Sequence, residues 1–324
     1  MGLKRTNTII IAVLLAVIIG ATYIAWPRAE TRRLIVSTTT SLYDTGVIDV
    51  IEDAFEKEHS IDLKFISVGT GLAIAHAKRG DADMVLVHAP VKEREFMEEG
   101  YGVNRKIIAY NYFTIVGPPG DPAGIMGLDP SEAMGTLVEM GRKDKAIWVS
   151  RGDDSGTHSK EKELWRLIGL EASDIREEPW YIEAGTGMGK TLQIAEEMQG
   201  YTLADMGTYL KYGDSGIVSL EVMVESGSTL INVYSAIAVN PDTVPDVDFK
   251  GAMAFIEFLA SEEGQAIIGE YGRERLGTSL FEPAVELLET GSDPEASRWI
   301  EEAAFFMGSE CPIEYRKGDT GLYG

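Results

Sequence analysis

Leu34 to Glu58 reads LIVSTTTSLYDTGVIDVIEDAFEKE, and the order of its residue types decides the fold class. Leu34 to Val36 is an apolar, β-branched run, and Ser37 to Gly46 is a polar turn. Val47 to Glu58 then places Val47, Val50, Ile51, Ala54 and Phe55 on one helical face. This is a strand followed by a helix, with a hydroxyl-rich turn between them. The pattern repeats downstream: Leu63 to Ser67 reads as a strand, Gly69-Thr70-Gly71 as a turn, Leu72 to Arg79 as a helix and Asp83 to Val87 as a buried strand. Short strands alternating with helices predict an α/β chain in which helices cover the faces of parallel sheets.

Further along, Asn111 to Val116 ends in Gly117-Pro118-Pro119-Gly120-Asp121-Pro122, a turn-rich boundary at which the chain can leave one lobe for another. Val233 to Val239, stopped by Asn240-Pro241, is the matching place for the return, although periodicity alone fits two ordinary interior strands equally well. The expected division is an N-terminal segment over 1–32, a discontinuous first lobe of 33–116 plus 240–324, and a second lobe of 117–239. Phe249 to Tyr271 completes the first lobe with one or two amphipathic helices carrying Met253, Phe255, Phe258, Leu259 and Ile267. A chain of 324 residues with 44% hydrophobic content has material for two lobes.

Charge and cysteine content narrow the classes. The formal charge of −23 repels nucleic acid phosphates and anionic headgroups, so no nucleic acid partner is expected. One cysteine, Cys311, forms no internal disulfide, and His59, His76, His88 and His158 have no zinc-ligand spacing. Lys4 and Arg5 precede a charge-free stretch from Thr6 to Pro27, which reads as a membrane-directed segment. Its length fits an uncleaved anchor better than a signal peptide, whose apolar region is usually about 7–15 residues. Ala21 and Ala25 leave cleavage open.

Candidate chemistry lies in four clusters of small residues at predicted helix starts: Ser37 to Ser41, Gly69-Thr70-Gly71, Asp154-Ser155-Gly156-Thr157 and Gly185-Thr186-Gly187. A helix start carries unpaired N–H groups at the positive end of the dipole, and hydroxyls add neutral donors. Taken singly, each cluster reads as well as an ordinary cap or turn; taken together, they suit a small oxyanion. Arg151 adds a rigid fork of charged donors, unless it is a surface residue paired with Asp153 or Asp154. Gly185 to Thr191 resembles a phosphate loop but has Ala184 where G-x-x-x-x-G-K-[ST] needs its first glycine. Ser155, His158 and Asp153 lack the G-x-S-x-G elbow of a hydrolase.

At these residues the sequence resembles the tungstate-binding proteins of ABC transporters, relatives of the molybdate, sulfate and phosphate binders. Matching blocks include Thr38 to Ser41, Gly69-Thr70-Gly71, Gly80 to Asp83 with Val87-His88-Ala89-Pro90, Ser150 to His158, Gly187-Met188-Gly189 and Tyr201-Thr202-Leu203, and the resemblance runs from Leu34 to about Pro283. It implies a type II periplasmic-binding-protein fold, two α/β lobes joined by two crossing strands. The implied oxyanion ligands are Thr39, Thr40, Ser41, Thr70 and Gly71 from the first lobe and Arg151, Ser155, Gly156, Thr157, Gly187 and Met188 from the second. It further implies tungstate or molybdate as ligand, no cofactor, no catalysis, a monomer outside the cytoplasmic membrane, and a permease with its ATPase as partner. A phosphate or sulfate binder of the same class, or an anchored anion sensor, is the alternative. One departure stands out: Met206 replaces the arginine that usually follows Asp205.

Overall fold

The computed structural model describes residues 32–225, 227–318 and 321–323. The membrane segment expected over 1–32 lies outside them apart from its last residue. Among the described residues no helix is long and apolar enough to cross a membrane.

The opening stretch folds as β1 (Arg32–Thr39), a short helix α1 (Thr40–Thr45) and α2 (Val47–Glu58). The turn expected over Ser37 to Gly46 is thus the end of a strand and a six-residue helix, because Thr39 caps the backbone and starts a helical turn. Gly46, at φ 85°, ends that helix in the left-handed region, and a Cβ there would meet the Tyr271 hydroxyl at 2.8 Å. β2 (Ile61–Val68), α3 (Thr70–Arg79), β3 (Met84–Val87), α4 (Pro90–Glu98) and β4 (Gly102–Gly117) follow. The middle of the chain supplies α5 (Pro130–Gly141), β5 (Trp148–Ser150), α6 (Gly156–Leu167), α7 (Ala172–Ile175), β6 (Tyr181–Glu183), α8 (Met188–Met198), β7 (Thr202–Asp205), α9 (Met206–Asp214) and β8 (Glu221–Glu225). β9 (Ile231–Val239), α10 (Phe249–Ala260), α11 (Glu262–Glu270), α12 (Arg273–Leu276), β10 (Glu282–Pro283), α13 (Val285–Thr290) and α14 (Pro294–Ala304) complete it.

One strand organises the topology. β4 is 16 residues long and nearly all buried. Its first part pairs antiparallel with β9 from Gly102 to Tyr112, and its last residues, Phe113 to Gly117, pair antiparallel with β7 and β8. The first sheet runs β10-β4-β9-β3-β1-β2, with β1 and β3 parallel but β3 and β9 antiparallel, so it is mixed rather than all parallel. β5 and β6 form a separate parallel pair. Val233 to Val239, expected at the return crossing, lies instead inside the first sheet between β4 and β3. An apolar run announces a buried strand but not the sheet that receives it, which is why the residues alone misplace this one.

The apolar clusters follow the same division. Phe113, Ile115, Trp148, Trp165, Tyr201 and Leu203 belong to one cluster and Val116, Val149, Met188 and Leu192 to another, all drawn from residues 113–230. Leu34, Phe55, Met84, Phe255 and Leu259 pack around the first sheet. Beneath its edge, Arg105 is completely buried and donates through Nε to Glu93 Oε2 at 2.9 Å and through Nη1 to Glu310 O at 2.8 Å. Removing one member of a buried pair strands the other charge. Arg105→Leu is therefore expected to cost about 3–5 kcal/mol in urea denaturation, whereas Arg142→Leu, which breaks the exposed pair with Glu178, should leave the midpoint nearly unchanged.

Candidate anion-binding site

Each small-residue cluster lies at a helix start. Thr39 is the N-cap of α1, Gly69 that of α3, Ser155 that of α6 and Gly187 that of α8. Glycine at two of these caps leaves N–H groups uncovered by any side chain, and it lets another segment come close. A Cβ on Gly187 would sit 3.5 Å from Thr40 Oγ1, and one on Gly69 would sit 3.2 Å from the Asp153 carbonyl oxygen. On Gly71 it would meet Asp154 Oδ2 at 2.5 Å, and on Gly156 the His88 ring at 2.9 Å. All four starts therefore face one region.

Arg151 ties them together. It is 1% exposed, and its Nη2 donates to Thr40 Oγ1 at 2.6 Å, its Nη1 to Thr157 Oγ1 at 3.4 Å and its Nε to Asp153 Oδ2 at 2.9 Å. Thr40 begins α1 and Thr157 lies in the first turn of α6, 117 residues further on. Thr39, Ser41, Thr70, Ser155 and Thr157 are fully buried, and Thr70 Oγ1 has no hydrogen-bond partner among the described residues. A buried hydroxyl without a partner is costly and fits a donor reserved for a ligand. The Met188 side chain belongs to the apolar cluster around Val149 and Leu192, so only its backbone N–H, at the first turn of α8, is available.

The acidic neighbours are already engaged. Asp153 accepts from Arg151 and, on Oδ1, from the Ser155 N–H at 3.2 Å. Asp154 pairs with Lys92 at 2.7 Å and Lys162 at 3.8 Å. Burial pushes the Asp154 carboxyl up, but bonding and charge from Lys92 outweigh this and hold it below its ordinary value. Ser155 Oγ accepts the His158 backbone N–H at 3.2 Å, and the His158 ring takes the Asp154 N–H at 3.1 Å. Lys190, the would-be phosphate-loop lysine, is exposed and reaches Gln193 at 3.3 Å.

Behind the hydroxyls lies a buried polar group that motif reading did not assign to the site. His88 Nε2 lies 3.3 Å from Ser41 Oγ and its Nδ1 2.8 Å from Asn232 Oδ1. Asn232 Nδ2 donates to Asn111 Oδ1 and to Tyr234 Oη, both at 2.8 Å. Burial pushes His88 down to about 4. Asp205, also fully buried, caps α9 through Oδ1, which accepts from the Thr208 N–H at 2.8 Å, while Oδ2 has no partner among the described residues and burial pushes the carboxyl up. The sequence does carry a signal for two of these residues: Asn111 and Asn232 are amides that interrupt largely apolar runs, Ile107 to Val116 and Ile231 to Val239.

Such an arrangement, with two sheets sharing one long strand and helix starts meeting at a buried guanidinium, defines a solute-binding protein of the periplasmic type. The family model described as a PBP superfamily domain matches residues 27–263. The tungstate-binding protein TupA of Peptoclostridium acidaminophilum is 40% identical over 289 residues, covering 87% of this chain and 99% of that protein. A putative ABC transporter anion-binding protein of Haloferax volcanii is 45% identical over 260 residues, covering 78% of this chain and 72% of its own length. Among solved structures, the tungstate-binding protein TupA of Desulfovibrio alaskensis superposes with a TM-score of 0.66 at 39% identity, covering 78% of this chain and 98% of that one. The chain belongs to the PBP superfamily and, within it, to the family of these tungstate-binding proteins.

Asp205 generates a stability prediction. A carboxyl whose folded pKa is raised disfavours folding once pH exceeds its unfolded value, and the penalty is complete above its folded value. Asp205→Asn keeps the acceptor for Thr208 and removes the buried charge. Its melting temperature at pH 7.5 should rise by about 2–4 °C, the shift about 1 kcal/mol gives in a domain of roughly this size, and scanning calorimetry should find the gain shrinking toward pH 4.

Proposed function

We propose that this protein captures tungstate outside the cytoplasmic membrane, in a cleft between two lobes, and delivers it to the permease of an ABC transporter and its ATPase. The names of the relatives support the ligand and the transporter. The observation that carries the site is the buried Arg151 guanidinium, bonded at once to Thr40 and Thr157 from the two halves. The lobes in this reading are residues 33–112 with 231–323, and 113–230, and they meet where β4 changes partners at Tyr112 and Phe113.

Thr39, Thr40, Ser41, Thr70 and Gly71 bind from the first lobe, and Arg151, Ser155, Gly156, Thr157, Gly187 and Met188 from the second. Tungstate is fully deprotonated near neutral pH and only accepts hydrogen bonds, so its site should present donors. Phosphate carries a proton and needs an acceptor. Asp153 and Asp154, the carboxylates nearest these residues in sequence, are paired with Arg151 and Lys92, which favours tungstate over phosphate. The anion touches both lobes only when they are closed, so its differential affinity drives closure and no bond is made or broken. The protein is thus a carrier rather than an enzyme.

Calorimetric titration with tungstate, molybdate, sulfate and phosphate tests this. Tungstate is expected to bind at nanomolar strength, about −12 kcal/mol, with sulfate and phosphate at least about 100-fold weaker. Arg151→Ala should cost roughly 2–5 kcal/mol of that affinity, the range for breaking a buried charged pair. Phosphate binding more tightly than tungstate would replace the ligand, and an unaltered affinity in Arg151→Ala would remove the site.

A further inference from the structure

The relay behind Ser41 has only one consistent set of proton positions. Asn111 Nδ2 lies 3.1 Å from the Leu280 carbonyl oxygen, which can only accept. The Asn111 amide is therefore fixed with Nδ2 toward Leu280 and Oδ1 toward Asn232. That oxygen in turn needs a donor, so Asn232 presents Nδ2 to Asn111 and Oδ1 to His88. His88 Nδ1 must then carry a proton. With the ring neutral, as burial keeps it, Nε2 is bare and the Ser41 hydroxyl donates to it. Reversing either amide would set two oxygens against each other at hydrogen-bond distance, so the chain of donors follows from a backbone carbonyl and not from an arbitrary choice of amide orientation.

This has a consequence for Ser41. Donating its only proton to His88 at 3.3 Å leaves Ser41 Oγ with lone pairs alone, to accept from Thr39 Oγ1 at 3.4 Å or to face the ion, the wrong polarity for an ion that only accepts. Rotating the hydroxyl toward the ion would leave Nε2 buried and bare. We infer that His88 is a positioning residue for anion capture: when a fully deprotonated oxyanion binds, Ser41 turns its hydroxyl to the ion and His88 Nε2 takes up one proton from solvent, so capture and proton uptake are coupled. Atoms balance: Nδ1 keeps its proton to Asn232, Nε2 gains one and donates it to Ser41 Oγ, and Ser41 donates to the ion. This rests on Ser41 being an anion ligand, as proposed above.

The surroundings of the ring fit this role. Burial chiefly holds the imidazole neutral, the bond to Asn232 opposes it, and across the site Arg151 adds to the first and Asp153 to the second, while Tyr234 stacks on the ring at 4.8 Å and Phe113 lies at 6.1 Å, both uncharged. A dianion next to Arg151 offsets the guanidinium and brings negative charge within one hydroxyl of Nε2, which favours the imidazolium. His88 also lines a cavity of about 550 Å3 walled by α4, α6 and α14, an avenue for the proton. The charged side chains lining it, Lys92, Glu95, Asp154, Lys160, Lys162, Glu163, Arg166 and Glu302, are of both signs in equal number.

Titration calorimetry of the full chain with tungstate at pH 6.5, in buffers of different ionisation enthalpy, reads the proton count directly. We expect uptake of about 0.5–1 proton per ion and an affinity that rises by up to about tenfold per pH unit lowered between pH 8 and 6.5. His88→Gln should bind tungstate with uptake abolished. Equal enthalpies in all buffers for the wild type, or unchanged uptake in His88→Gln, would overturn the inference. Nitrogen NMR of labelled histidine in the wild-type protein, which has four, gives a second reading. A bare Nε2 that becomes protonated on adding tungstate supports the coupling, and a ring unaffected by tungstate rejects it. If Arg151→Ala loses tungstate while the wild type takes up no proton, the site stands and the role of His88 falls. If Arg151→Ala binds normally, the site itself is at fault.

Discussion

A guanidinium cannot be buried to 1% exposure without partners for its donors. Arg151 finds them in Asp153 beside it, in Thr157 one helix start away and in Thr40 at the start of α1. The first of these is local and keeps the charge balanced. The last is long-range, spans 111 residues of sequence, and makes the position of α1 depend on that of α6. Because the pairing with Asp153 uses only the Nε edge, the Nη groups remain directed at hydroxyls, which are weak competitors for a cation. An anion of higher charge density can displace those hydroxyl contacts without having to break an ion pair.

The strand–helix alternation that defines the architecture is plain in the residues. The helix predicted over Val47 to Glu58 is observed over those residues, and Phe249 to Tyr271 resolves into α10 and α11 on either side of Ser261, which caps the second helix. What the residues do not carry is strand partnership. β4 and β9 are both long apolar runs, yet one serves two sheets and the other serves one, a distinction made by long-range pairing that leaves no periodic trace. The mixed polarity of the first sheet is hidden for the same reason.

Legibility of the candidate site divides along a similar line. Glycine and hydroxyl residues at helix starts advertise themselves because their positions follow local capping rules, and Arg151 stands out as the full charge among them. His88 gives no such local cue, and Asn111 and Asn232 stand out as amides in apolar surroundings without showing what they pair with. The relay residues act through partners far along the chain: His88 is 144 positions from Asn232, and Asn232 is 121 from Asn111. Only after folding does an amide in an apolar strand become a fixed element of a proton relay. Met206 belongs with them, since it contributes nothing to Asp205, whose Oδ2 is left without a partner among the described residues.

Beside the buried contact of Thr208 Oγ1 with the Ser41 carbonyl, several contacts away from Arg151 are of a different quality. Lys92 meets Asp154 with side chains 22% and 64% exposed, and Arg275 meets Asp214 at 64% and 33%. Lys211 reaches the Asp44 carbonyl from α9. Exposed pairs of this kind contribute only about 0–1 kcal/mol each and are weakened further by salt. In the proposed capture, weak rim pairs leave the buried donors around Arg151 to supply most of the difference between an open and a closed state.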